Sequence, residues 1–117
     1  MTMESDLHAL LAAVCPRVFP DFAATSTVRP YITFQGIGGP VFRFLDNTTG
    51  DKRRSRVQIN VWADTRIESL ALIRQIEDAM CAASAFTATP EGEPVHDFDA
   101  DFPVYGSIQD FLITSTR

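Results

Sequence analysis

The sequence predicts an α+β fold: an antiparallel sheet of about four to five strands with two helices packed on one face. Three observations carry this. Residues 56–63 alternate strictly. Val57, Ile59, Val61 and Ala63 point one way, and Arg56, Gln58, Asn60 and Trp62 the other, the period of a strand with one face in a core. The strand runs into Thr65-Arg66-Ile67-Glu68, a capping box that starts a long apolar-periodic helix. A shorter amphipathic pattern opens the chain, and the remaining apolar runs are short and linked closely enough for antiparallel pairing. The expected order is α-β-β-β-α-β-β, in a single domain over residues 1–117.

In chain order, Ser5 caps the first helix and Asp6 lies in its first turn. Leu7, Leu10, Leu11 and Val14 form its apolar stripe. Pro16 restricts Cys15 and ends it. Residues 16–30 hold Pro16, Pro20 and Pro30 and read as a crossing loop, with Val18 and Phe19 plugging the core. Residues 31–37 alternate and form a strand. Gly36, Gly38, Gly39 and Pro40 turn the chain. They do not cradle a phosphate, because a β-like run follows where a helix would have to start. Residues 41–45 are the second strand, 46–55 a polar loop and 56–63 the third strand.

The helix capped by Thr65 runs to about Ala85. Its apolar side carries Ser69, Leu72, Ile73, Ile76 and Met80, with Glu68, Arg74, Gln75 and Asp78 mostly opposite. Residues 87–94, with Pro90, Gly92 and Pro94, form a loop. Residues 95–102 are strand-like, with Val95, Asp97, Asp99 and Asp101 on one face and His96, Phe98, Ala100 and Phe102 on the other. Pro103 interrupts. Residues 105–114 are the last strand, apolar on both faces, so helices cover one side and a neighbour or partner the other.

Composition is that of a soluble globular protein, 45% apolar and 21% charged. The formal charge of −5 argues against a sequence-specific duplex-DNA binder. The start of the chain has no basic region followed by an apolar run, so no signal peptide is expected. No apolar stretch approaches the roughly 18 residues of a membrane span. Cys15 and Cys81, in or at the ends of the helices, read as two small buried thiols in a reducing compartment. Synthesis in the cytosol follows.

Nothing in the chain reads as an enzyme. His8 and His96 lack a recognisable nucleophile context, and no Cys-x-x-Cys, His-Glu-x-x-His or Walker loop occurs. Neither a metal nor a cofactor is expected. Asp97, Asp99 and Asp101 share a strand face, but carboxylates two residues apart on a strand lie nearly ~7 Å apart, too far to share an ion unaided. A solvated acidic edge that discourages edge-to-edge aggregation is the ordinary reading. Charge segregation is the stronger pattern. Lys52, Arg53, Arg54 and Arg56 form a basic cluster; Glu91, Glu93, Asp97, Asp99 and Asp101 form an acidic one. These are either two solvated loops or complementary patches that steer a head-to-tail contact between copies.

The chain resembles the tail-completion, or tail-terminator, family of long-tailed phages and prophages. The matching pieces are the N-terminal amphipathic helix leading to Val18-Phe19-Pro20, and Arg29-Pro30-Tyr31-Ile32-Thr33-Phe34-Gln35 with its glycine turn. Arg56-Val57-Gln58-Ile59-Asn60-Val61-Trp62-Ala63 with its capped helix follows, then Asp97-Phe98-Asp99 and Ser107-Ile108-Gln109-Asp110-Phe111. The resemblance implies an α+β protomer that assembles into a ring, commonly a hexamer, on the head-proximal end of the tail tube. It implies tail tube protein and head–tail connector as partners, assembly in the host bacterial cytoplasm and residence in the virion tail or neck. It brings no active site. A different neck or head-completion protein is the nearest alternative; a small enzyme or ligand-binding domain is a further one. The expected contact residues, from charge and not from the family, are the basic segment 52–56 and the acidic segment 91–101. Trp62 joins them, on a sheet face that no helix is left to cover.

Overall fold

The computed structural model describes residues 3–21, 28–38, 52–99 and 104–116, with the side chains of Lys52, Arg53, Asp99 and Thr116 outside that description. Helix α1 spans Met3–Val14, followed by strands β1 (Val18–Pro20), β2 (Tyr31–Gly36) and β3 (Lys52–Ala63). Helix α2 (Arg66–Cys81) leads to β4 (Thr87–Pro90), β5 (Val95–Asp99) and β6 (Val104–Thr116). The fold is α+β, with the strand order β1-β2-β3-β6-β4 and β5 also paired to β6.

The long β3–β6 ladder is antiparallel and runs from Lys52 opposite Thr116 to Ala63 opposite Tyr105. β2 lies antiparallel on the other side of β3, with Ile32 opposite Val61 and Phe34 opposite Ile59. β4 and β5 pair with β6 at residues 111–114 and 104–108 respectively. They form one sheet edge, interrupted by residues 91–94.

The alternation places the core. Paired residues of an antiparallel ladder share a face, so Ile32, Phe34, Val57, Ile59, Val61 and Phe111 all turn toward the helices, and all are buried. Leu7 and Leu11 of α1 and Ile73, Ile76 and Met80 of α2 close that core. The Thr65 hydroxyl accepts from the Glu68 amide at 3.1 Å, the capping bond that the sequence predicts.

Several boundaries differ from the sequence expectation. Residues 87–90 are a strand and not a loop, because β6 offers them a free edge and Pro90 sits where it interrupts the ladder. Residues 52–55, expected in a loop, extend β3, since β6 is long enough to pair with them. Residues 18–20 form a three-residue strand parallel to β2, which makes the sheet mixed. That gives six strands among the described residues where four to five were expected. Helix α2 ends at Cys81 with Ala82 as its cap, short of Ala85. Cys15 is buried as expected, but Cys81 is exposed: one step of 100° from buried Met80 turns it off the core side. The expected strand at 41–45 lies outside the described residues.

On the face away from the helices, Trp62 stands opposite both Tyr31 and Gly106. A Cβ at Gly106 would lie 2.6 Å from Cζ3 of the indole. The glycine therefore lets the ring lie flat on β6. Gly106→Ala should push the indole aside and destabilise the fold by about 1 kcal/mol or more. The measurements are the urea midpoint and the emission of the single Trp; if both are unchanged, the close packing is wrong.

Candidate functional site

Neither described helix lies on the second face of the sheet, where most side chains are half-buried. Arg54, Arg56, Gln58, Asn60 and Trp62 of β3 lie on it beside Gly106, Ile108, Asp110 and Leu112 of β6. Asn60 donates to the Thr33 hydroxyl at 3.2 Å, which ties β2 into the same face. Tyr31 is half-buried there; burial pushes its phenol above the usual pKa, against the pull of Arg29. Arg29 itself pairs with Asp64 at 2.6 Å.

The structure separates the expected charged clusters and joins them at one point. Lys52 lies opposite Thr116 at one end of β6, and Asp99 opposite Val104 at the other. Twelve steps at 3.3 Å put those ends about 40 Å apart. In between, Arg56 meets Glu91 in an ion pair within the chain. The hydrogen bond from Arg56 to Glu91, and then the charge of Glu91, raise the Arg56 pKa further. One cation and one anion of the expected intermolecular set are thus engaged with each other. Arg54, Glu93 and Asp97 are exposed. The Asp97 carboxylate accepts from the Phe98 amide at 2.8 Å. Asp101 lies outside the described residues.

Two residues that were not among the expected contact residues hold the acidic edge in place. Arg66, in the first turn of α2, donates to the carbonyls of Gly106 and Asp97, each at 2.7 Å. Its guanidinium lies 5.2 Å from the centroid of the Tyr105 ring, a cation–π distance. Gln109 is 2% exposed and donates to Glu77 at 2.6 Å and to the Gly92 carbonyl at 2.9 Å, fastening the interruption at 91–94 to α2. Asp110 stands beside it on the open face. The faint signal for Gln109 is parity: it occupies a core-facing position of β6 together with Tyr105 and Phe111.

Among the described residues, two of the recesses lie near this region. One of about 680 Å³ lies between α1 and the ends of β2 and β3, lined by Leu7, His8, Phe34 and Val57 among others. His8 sits edge-on to Phe34 with ring centroids 6.2 Å apart, so it makes an aromatic contact there. The second, about 380 Å³, sits at the interruption and is lined by Glu91, Glu93, Asp110, Gln58, Gln109 and their neighbours.

His96 and Ser107 are 3.1 Å apart, and Ser107 is equally close to Ser69. This is a packing network and not a nucleophile with its base, because the Ser107 side chain is fully buried and closed to a substrate. Among the described residues, no three His, Cys, Asp or Glu side chains group closely enough to hold a metal. No described helix is long and apolar enough to cross a membrane.

A surface of mixed aromatic and polar side chains with charge divided between its ends suits contact with other proteins. A family model described as Tail completion protein gp17 matches residues 2–102. The chain belongs to this phage tail-completion family. The match ends before β6, so the Ser107-Ile108-Gln109-Asp110-Phe111 run lies beyond it. No curated protein matches the chain.

Arg66→Met should keep the packing of the side-chain stem and remove the two carbonyl contacts. Amide exchange across β5 should accelerate several-fold while the β3–β6 ladder stays protected. Equal exchange in both proteins would show that Arg66 does not hold the acidic strand.

Proposed function

We propose that this tail-completion protein caps the head-proximal end of the tail tube as a ring. It ends tube polymerisation there and presents a surface to the head–tail connector. Membership of the family carries the reading; the charge division along β6 and the sheet face that neither described helix covers support it.

The mechanism is geometric. One face of the ring is complementary to the last ring of tube subunits and binds it. The opposite face differs from that of a tube subunit, so no further subunit adds. The protomer contact is heterologous: a patch on one copy meets a different patch on the next, the arrangement that closes into a ring when the rotation fits. The candidate contact residues are Lys52, Arg53 and Arg54 at the start of β3, Trp62 near its end, and Glu93, Asp97 and Asp99 on the acidic edge, with Arg56 and Glu91 paired within the chain; Asp101 joins them from the sequence. The net charge of −5 suits a channel through which DNA passes without being gripped. The protein would assemble in the host cytoplasm and remain in the neck of the virion.

Deleting the gene in its phage or prophage should give overlong or headless tails in electron micrographs. Normal-length tails joined to heads would overturn the proposal.

A further inference from the structure

We infer that His96 is a polarity switch on the acidic edge. A buried serine relay holds a proton on its Nδ1. The exposed Nε2 therefore accepts a hydrogen bond while the ring is neutral, and becomes a charged donor once the ring is protonated. The inference goes beyond the assembly reading above and stands without it.

The relay has three contacts, each 3.1 Å long: Ser69 Oγ to the Arg66 carbonyl, Ser69 Oγ to Ser107 Oγ, and Ser107 Oγ to Nδ1 of His96. A carbonyl only accepts, so the Ser69 hydroxyl donates to Arg66. Ser69 has no second proton, so the Ser107 hydroxyl donates to Ser69. Ser107 then has none left, and Nδ1 of His96 donates to it. The reverse order would leave the contact with the Arg66 carbonyl without a proton. Ser69 and Ser107 are both fully buried, where an unmade hydrogen bond is costly. One proton order satisfies every contact, and that order sets the tautomer of His96.

The other ring nitrogen has a different setting. His96 stands opposite Ser107 on the helix side of β5 and is exposed. Among the described residues, Nε2 has no hydrogen-bond partner. The charged and titratable groups around the ring do not take it. On α2, Arg66 is held by the Gly106 and Asp97 carbonyls, and Glu77 accepts from Gln109. Tyr105 of β6 packs against the Arg66 guanidinium. Asp97 turns to the opposite face of β5, and Glu93 lines the recess on that face.

Protonation therefore adds its proton at Nε2. Nδ1 keeps the proton it had, so the bond to Ser107 survives, now with a charged donor. The strand stays in place while its outward atom changes sense. A protein that meets β5 through this atom brings an N–H or O–H donor to the neutral ring, and finds a cationic donor there after acidification.

The test is nitrogen NMR of the imidazole rings in the folded wild-type chain, with His8→Gln to tell the two histidines apart. In the neutral ring, Nδ1 of His96 should show the shift of a protonated nitrogen and Nε2 that of a bare one. Ser69→Ala removes the acceptor of the Ser107 proton and turns that proton toward Nδ1, so the two ring shifts should change places. Alanine suits a helix interior, and the wild-type spectrum decides the tautomer without the variant. Acidification from about pH 8 to about pH 5 should protonate Nε2 while amide protection across β5 changes by less than about twofold. A proton on Nε2 of the neutral wild-type ring, or unchanged shifts in Ser69→Ala, would overturn the relay. Loss of β5 protection as His96 is protonated would overturn the switch.

Discussion

Twelve consecutive residues of β3 pair with β6 from Lys52–Thr116 to Ala63–Tyr105, and every other element takes its position from that ladder. Side chains alternate with a period of two, so the register alone decides what is core. It sends Val57, Ile59 and Val61 under the helices and Arg56, Gln58 and Trp62 to the opposite face. A slip of one residue would exchange the two sets, which is why a half-buried strand holds its register firmly. The chain's extents, 52 × 24 × 24 Å, fit a shape built around this long pair. The segregation of charge has the same origin: the basic residues begin β3, the acidic strand β5 borders the start of β6, and antiparallel pairing puts these at opposite ends.

Much of this was legible in the residues themselves. The alternation at 56–63 and the Thr65 capping box placed β3 and α2, and the apolar stripe of Leu7 and Leu11 placed α1. Each is a local signal whose period already encodes the buried side. What escaped were elements that exist only because a partner strand is present. Thr87-Ala88-Thr89-Pro90 has little strand character alone and becomes β4 by pairing with residues 111–114. Val18-Phe19-Pro20 becomes β1 by lying along β2. Lys52 to Ser55 look like a solvated loop until β6 extends beside them.

The candidate surface divides in the same way. That Arg56, Gln58 and Trp62 share an uncovered face follows from parity. That Arg56 reaches Glu91, 35 residues away, does not, because the position of the 91–94 segment is set by β4 and β5 together. Gln109 and Arg66 are the clearest omissions. Each is a polar residue whose partners are backbone carbonyls or a side chain on another element, and a backbone carbonyl has no identity in a sequence.

The interruption of the β4–β5 edge has one more consequence. β4 and β5 each find their own register on β6, at positions separated by Gln109 and Asp110. Residues 91–94 bridge the two, held by the Glu91 amide on the Asp110 carbonyl and by Gln109 on the Gly92 carbonyl, and set the register of neither strand. A residue gained or lost there alters the rim of the recess and leaves the ladder, the core and the helices where they are. The scaffold and its rim are thereby mechanically separable: a change of length at 91–94 falls first on the rim's own contacts, Gln109 to the Gly92 carbonyl and Arg56 to Glu91, while the sheet beneath stays the same.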